Sequence, residues 1–203
     1  MPPTESPTEP PSVVRRPGGR AARVRKAILS ATITELTAGG YGALNAARIA
    51  ERAGVHRSTV HRRWPDLDQL VTEALIDAAT AAIPMPDNGD ITADLTALLH
   101  SIVDYIGGPQ TRVQIRALVA DAARSPAIAE VVSHVWTTRF RVGEEVIIRA
   151  VDRGELRDDI PATTVLAVFT GPIYVRLLLT DEPLDAEFID AVVELGLAGA
   201  RRP

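Results

Sequence analysis

The basic residues just after the first quarter of the chain are the side chains best suited to bind a charged partner. The segment from Arg57 to Trp64 (RSTVHRRW) has an apolar side formed by Val60 and Trp64, and its other faces carry arginines and a histidine. A guanidinium group presents a planar fork of N–H donors that matches phosphate oxygens and also the O6 and N7 atoms of guanine. These residue types at this spacing therefore predict a helix that binds DNA.

A second short helix is expected immediately before this one. Ile49, Ala50 and Ala53 form one apolar face. Asn45 precedes them, where its side chain can accept a hydrogen bond from an unpaired backbone N–H. Gly54 follows the last apolar position, where the left-handed end of a helix requires no Cβ. Two short helices joined at a glycine, the second with a basic outer face, form a helix-turn-helix, whose second helix enters the major groove.

Seven polar residues of this segment are predicted to contact DNA. Arg57 and Arg62 are assigned to base reading because their guanidinium groups match guanine. The others are expected to bind phosphates, which position the protein but carry no sequence information. Tyr41 and Trp64 are expected to lie in the core instead, since their spacing fits the buried faces. The predicted DNA contacts are Asn45, Arg57, Ser58, Thr59, His61, Arg62 and Arg63.

Charge is distributed unevenly along the chain. From Val14 to Pro65 there are eleven arginine or lysine residues and two acids, whereas the chain from Asp66 onward has 11 basic and 22 acidic residues. A basic N-terminal quarter on an acidic body is typical of a protein that presents one face to nucleic acid. A merely solvated helix surface is the alternative, and the clustering of the arginines in one helix-turn-helix favours DNA binding.

Composition limits the remaining function classes. The 203 residues, 46% of them hydrophobic, suffice for one or two domains with an apolar core. The absence of cysteine excludes disulfides and thiolate metal sites. We find no metal-ligand spacing, nucleophile motif or glycine-rich phosphate loop, and therefore expect no catalytic residue, metal or cofactor. We recognise neither a signal peptide nor a membrane-spanning run of about 18 apolar residues, so a cytoplasmic protein is expected.

The N-terminal 19 residues are predicted to form a disordered arm. They contain six prolines and two glycines and almost no large apolar side chains. Such a segment cannot bury enough surface to offset the entropy lost on ordering. Arg15, Arg16 and Arg20 could contact DNA phosphates or the minor groove, and an untethered tail is the alternative.

The rest of the chain is predicted to be all-α, with about nine helices. Residues 20–66 are expected to form a three-helix DNA-binding domain, and residues 67–84 a connecting helix that Asp66 caps. Residues 85–203 follow helical spacing throughout and form a second domain. Within it, a strongly apolar helix that begins near Pro161 is expected to be interrupted at Gly171-Pro172.

Three segments of the chain are similar to those of the TetR family of bacterial transcriptional regulators, a resemblance that covers nearly the whole length. They are ILSATITELTAGGYGAL, IAERAGVHRSTVHRRWPDLDQLV and GPIYVRLLLTDEPLD. The resemblance implies a homodimer, each subunit having a three-helix DNA head and a helical domain that binds an effector and dimerises. His61 and Leu67 depart from the tyrosine and lysine usual in the family, which puts these two phosphate contacts in doubt.

The implied effector pocket requires apolar walls with a few polar groups. The expected ligand is small and largely apolar, and it would release a repressor from its operator. An alternative is that the larger aromatic side chains simply fill the core. The candidates, each near an apolar stripe, are His100, Tyr105, Arg116, Trp136, Arg139, Phe140, Phe169 and Tyr174.

The dimer is predicted to form through the last two helices. Their apolar residues exceed what one face needs for its own core, and four such helices from two subunits would form a symmetric bundle. The alternative is that the helix containing Gly171-Pro172 is central to its own domain. The residues that suggest this interface are Val165, Phe169, Val175, Leu178, Phe188, Val192 and Leu195.

Two other functions stay open at this point. The chain could be a DNA-binding regulator that responds to a protein partner or only to its own concentration, with no small-molecule effector. It could also be a helical small-molecule-binding protein or an enzyme. Catalysis is disfavoured because the acidic pairs Glu144-Glu145 and Asp158-Asp159 are adjacent in sequence and cannot face one another across a site.

Overall fold

The computed structural model describes residues 19–201, and within that range the chain forms nine α-helices and no β-strand. This confirms the all-α prediction. Residues 1–18 of the predicted arm, with Arg15 and Arg16, lie outside the described range, whereas Gly19 is the first residue of α1. The helices are α1 (Gly19–Gly39), α2 (Ala46–Arg52), α3 (Arg57–Arg63), α4 (Leu67–Ala82), α5 (Ile91–Gly107), α6 (Pro109–Ala122), α7 (Pro126–Asp152), α8 (Ala162–Val175) and α9 (Ala186–Ala200).

The helix ends follow the local sequence signals. Asn45 caps α2 by accepting a hydrogen bond from the backbone N–H of Ala47, and Asp66 caps α4 in the same way through the N–H of Asp68. Gly54 adopts a φ of 66°, a left-handed conformation that a residue without a Cβ adopts freely. The helix-turn-helix is therefore delimited as its sequence predicts.

The first three helices and the beginning of α4 share one hydrophobic core. Ile28, Ile49 and Val60 contribute one large apolar side chain from each of α1, α2 and α3, and Leu70 adds one from α4. Trp64 is buried in this core, as predicted. Because α4 also supplies residues to this core, packing does not separate the chain between residues 66 and 67. The domain boundary predicted there stays a prediction.

Tyr41 is only half-buried, at the edge of a small apolar cluster. Its hydroxyl donates a hydrogen bond to the carboxylate of Asp68 in the first turn of α4. The expectation that Tyr41 fills the core is therefore met only in part, and its hydroxyl joins the end of the first helix to α4.

A second and larger core lies among α5, α7, α8 and α9. Leu95, Ile147, Phe169 and Ile173 are among its fully buried side chains. Helix α7, 27 residues long, packs against α4, α6 and α8 and so links this core to the first.

The predicted interruption at Gly171-Pro172 is wrong. Helix α8 runs through Pro172 to Val175 and continues into a π-helical turn, Arg176–Thr180. Proline in a helix interior costs about 3 kcal/mol because it removes a hydrogen bond and its ring crowds the preceding turn. The apolar face of this helix is buried on both sides of the proline, so packing outweighs that cost. Its buried residues include Val165, Leu166, Phe169, Ile173 and Leu177.

The same segment is longer and more apolar than the sequence analysis recognised. Ala162–Thr180, 19 residues, meets the length and composition of a membrane-spanning helix. Its buried side chains belong to the larger core.

The proposed dimer residues separate into buried and exposed groups. Val165 and Phe169 are buried within the subunit, so the prediction that they contact a second subunit is wrong. Leu178, Phe188 and Val192 are partly buried against the same core. The large apolar side chains that α8, the π-helical turn and α9 leave exposed are Val168, Val175, Leu179 and Leu195.

The contact between α8 and α9 predicts a sharp effect of side-chain size. A Cβ at Gly196 would lie 2.8 Å from Cδ1 of the buried Phe169, whereas one at Gly199 on the same helix meets nothing within 4 Å. Gly196→Ala should lower the free energy of unfolding by about 1–3 kcal/mol through overpacking. Gly199→Ala, the matched control, should be neutral or raise it by about 0.5–1 kcal/mol. Urea unfolding at one protein concentration measures both, and equal stabilities would contradict this packing.

Candidate nucleic-acid interface and ligand cavity

Helix α3 presents most of its polar side chains to solvent. Arg57, Ser58, His61, Arg62 and Arg63 are exposed, whereas the apolar side of the helix is buried in the first core. Among the other two predicted DNA contacts, Thr59 is half-buried and Asn45 is exposed at the start of α2. Six of the seven side chains predicted to bind DNA are therefore exposed, and their contacts with DNA stay a prediction.

Two hydrogen bonds organise this surface. The Nδ1 atom of His56 accepts from the backbone N–H of Ser58 at 3.3 Å, so His56 caps α3, and it also lies 2.8 Å from the Ser58 hydroxyl. One turn later, Nε of Arg57 donates to Nε2 of His61 at 3.0 Å. By accepting this bond, His61 orients the Arg57 guanidinium along the exposed face.

Three of the basic residues counted in the sequence pair with carboxylates of the head. Arg48 and Arg52 pair with the buried carboxylate of Glu35 at 2.9 and 2.7 Å. Arg25 pairs with Glu73 and Asp77 on α4 at 2.6 and 3.0 Å. Burial is the largest single influence on the pKa of its guanidinium and lowers it, but the two carboxylates together raise this pKa above its usual value. These arginines hold helices together and are poor candidates for phosphate contacts.

Six other cations of α1 and α3 have no carboxylate partner among residues 19–201. Arg20 lies beside Arg62 and Arg63 along a groove between the start of α1 and helix α3. Arg63 also stacks over Trp64, with its guanidinium carbon 5.2 Å from the ring centroid. The groove therefore extends the basic surface from the recognition helix to α1. The six are Arg20, Arg23, Lys26, Arg57, Arg62 and Arg63.

Glu73 positions the recognition helix. Its Oε2 accepts a hydrogen bond from Nε1 of Trp64, directly after α3, at 2.6 Å. Its Oε1 accepts from Nε of Arg25 on α1, also at 2.6 Å. One carboxylate on α4 thus connects to both of the helices that carry the basic surface. The sequence did not predict this role, because a single glutamate on a helix has no pattern that distinguishes it from a solvent-exposed residue.

A cavity of about 170 Å³ lies between α4, α5, α6, α7 and α8. Its walls are mostly apolar, as a small-molecule site requires. Leu36 and Tyr41 also line it, so the cavity reaches the end of α1 in the DNA-binding head. Polar groups in the lining include Tyr105, Thr111, Gln114, Asp121, Arg139, Thr170 and Tyr174.

Five of the eight predicted ligand residues line this cavity, namely Tyr105, Trp136, Arg139, Phe140 and Tyr174. Three do not. His100 on α5 is outside the lining, because it lies off the face of α5 that forms the wall. Arg116 turns away to donate to the carbonyl of Leu177 and to Asp181. Phe169 is fully buried against Gly196. The prediction that these three residues line the pocket is therefore wrong. Ligand contacts by the other five stay a prediction.

The chain matches known protein families along most of its length. Residues 28–74 match the family described as bacterial regulatory proteins, tetR family. Residues 85–195 match the tetracyclin repressor-like C-terminal domain. The two matches correspond to the helix-turn-helix head and to the helical body that encloses the cavity.

Relatives and solved structures agree with these matches. The HTH-type transcriptional regulator AqdR of Rhodococcus erythropolis is 32% identical over 178 residues, which cover 87% of this chain and 86% of that protein. The DNA-binding transcriptional repressor TetR of Mycobacteroides abscessus is 29% identical, covering 87% and 93%. The crystal structure of the TetR family transcription regulator SCO0332 superposes with a TM-score of 0.75 at 27% identity, covering 87% of this chain and 98% of that one.

The division of cations into paired and unpaired groups predicts different salt dependences. Each phosphate contact contributes about one counterion to the slope of log affinity against log salt. Arg20→Ala and Arg63→Ala should each weaken binding to all DNA sequences and lower the slope by about one. Arg25→Ala, on the same helix as Arg20, should leave the slope unchanged because its charge is held by Glu73 and Asp77. Fluorescence anisotropy at several salt concentrations measures the slopes, and equal slopes for all three variants would contradict the division.

Proposed function

Because the chain belongs to the TetR family of bacterial transcriptional regulators and is a helix-turn-helix DNA-binding protein, we propose that it is a cytoplasmic homodimeric repressor. In this proposal a small, largely apolar ligand binds in the cavity of the body and releases the protein from its operator. Arg57 and Arg62 read bases, and the remaining exposed polar groups of α3, together with Arg20, hold phosphates.

The observation that carries the ligand response is the position of the cavity. The pocket is lined by the body and also by Leu36 and Tyr41 of the head. Tyr41 bonds to Asp68 at the start of α4. A ligand that moves these walls would change the angle between the head and α4. The two heads of a dimer must lie about 34–36 Å apart to enter successive major grooves, so a small tilt is enough to uncouple them.

The proposed dimer uses the exposed apolar side chains of α8, the π-helical turn and α9. Leu179 and Leu195 are 79% and 75% exposed, and Val168 and Val175 are 55% and 49% exposed. These residues lie on consecutive elements of the chain, and burial of each would contribute about 1.5–3 kcal/mol for a fully covered side chain. Two copies of this surface form an isologous contact of the kind that two-fold symmetry requires.

Operator selection with the purified full-length protein tests DNA recognition and symmetry together. We expect a palindrome whose half-sites are separated by about one helical turn or a multiple of it. A selected site without two-fold symmetry would contradict the homodimer. On the selected operator, failure of every compound in a small-molecule library to change affinity would favour a regulator that has no small-molecule effector.

A charge in the proposed dimer surface should dissociate it. Leu179→Glu places an ion where an apolar contact is expected, and the dimer dissociation constant should rise by about tenfold or more. Val113→Glu, at a residue of α6 that is 68% exposed, is the matched control and should leave it unchanged. Sedimentation equilibrium measures both constants. If Leu179→Glu dimerises as the unmodified protein does, the interface lies elsewhere.

A further inference from the structure

We propose that the ligand of the cavity is an organic anion, with an aromatic or short aliphatic body and one carboxylate group that the guanidinium of Arg139 binds. This inference rests on the proposed function, because it concerns the same cavity. It adds the chemical class of the ligand and the residue that selects it.

Arg139 is unusual among the arginines of the body. Ten arginines lie between residues 85 and 201 of the described chain, and seven of them pair with a carboxylate. Of the three without such a partner, Arg141 and Arg201 are exposed to water. Arg139 is partly buried and lines the cavity, so it is the described arginine of the body that combines partial burial with the lack of a carboxylate partner.

The neighbours of Arg139 are neutral. Its two terminal nitrogens donate to the Thr80 hydroxyl at 3.1 Å and to the Ile83 carbonyl at 3.4 Å, both at the end of α4. Burial lowers the pKa of the guanidinium. A partly buried cation held only by neutral acceptors gains more from an anionic partner than an exposed cation does.

The other polar groups around the cavity favour an anion as well. Asp121 is the single carboxylate of the described lining, and Arg124 binds it at 2.9 Å. Burial raises the pKa of both Tyr105 and Tyr174, so both phenols stay protonated at neutral pH. Neither hydroxyl has a hydrogen-bond partner within residues 19–201, and each can donate to a carboxylate oxygen.

The remaining walls of the cavity limit the size and shape of the apolar part of the ligand. Trp136 packs edge-on against Tyr174, with ring centroids 4.4 Å apart, and lies 5.9 Å from Phe140. Such rings contact a second aromatic ring or an alkyl chain favourably. The volume of about 170 Å³ is close to that of a cavity of roughly 150 Å³ that holds benzene. The site therefore suits one ring, or a chain of a few carbons, attached to the carboxylate.

Calorimetric titration with matched acids and amides tests the inference on the full-length protein. The probes are benzoate, phenylacetate and hexanoate, each compared with its neutral primary amide. We expect at least one acid to bind about tenfold or more tightly than its amide, as a charge-assisted hydrogen bond allows. Equal affinities of acids and amides, or no binding by any of the three acids, would overturn the inference.

Variants identify the residue responsible. Arg139→Gln should weaken acid binding about tenfold or more and bring the acids level with the amides, whereas Arg139→Lys should retain part of the preference because it keeps the charge. Arg141→Gln, at an exposed position two residues later on α7, is the matched control and should bind as the unmodified protein does. Thermal unfolding establishes that each variant is folded. Acid binding that survives in folded Arg139→Gln would overturn the assignment.

Operator binding, measured on the same preparations, separates this inference from the proposed function. If neutral compounds release the operator as readily as acids do, the protein is still a ligand-responsive repressor and only the anion assignment is lost. If the acids bind through Arg139 and the operator stays bound, the inference stands and the proposed release mechanism fails.

Discussion

The carboxylate of Glu73 is the constraint on which DNA reading by this protein depends. It accepts one hydrogen bond from Trp64, at the end of the recognition helix, and another from Arg25 on α1. A recognition helix of seven residues is too short to be stable or oriented by itself. Burial of Val60 and Trp64 provides stability, which is non-directional. The hydrogen bond from Trp64 to Glu73 is directional and ties the end of the recognition helix to α4, and the bond from Arg25 ties α1 to the same carboxylate.

Helix α4 consequently connects the recognition helix with the cavity. Near its start it holds the head, through Asp68 and Glu73. At its end, Thr80 and Ile83 accept hydrogen bonds from Arg139 in the cavity. Glu73 and Ile83 are separated by about 15 Å along the helix at 1.5 Å per residue. If the ligand is the organic anion inferred above, its binding to Arg139 would compete with the acceptors at the end of α4 and so act on the element that also positions the recognition helix.

The basic head shows why counting charges overestimates a DNA-binding surface. Glu35 is only 4% exposed, and burial of a carboxylate without a partner is strongly destabilising. Arg48 and Arg52 supply that pairing and thereby attach α2 to α1. Arg25 does the same between α1 and α4. Among the described residues of α1 and α3, the cations without a carboxylate partner lie at the beginning of α1 and on α3, and three of them, Arg20, Arg62 and Arg63, line one groove.

The sequence by itself determined where the helices lie, because helix ends depend on residues close together in the chain. Asn45, Asp66 and Gly54 act within one turn of their own backbone, and apolar spacing shows that one face of each helix is buried. Spacing does not show what covers that face. Only the tertiary structure decided that α8 continues through Pro172, that Phe169 fills the core while Tyr174 lines the cavity, and that Arg25 is paired while Arg139 is not. Each of these outcomes depends on residues distant in sequence, whose packing and electrostatic energies are set only when the helices come together.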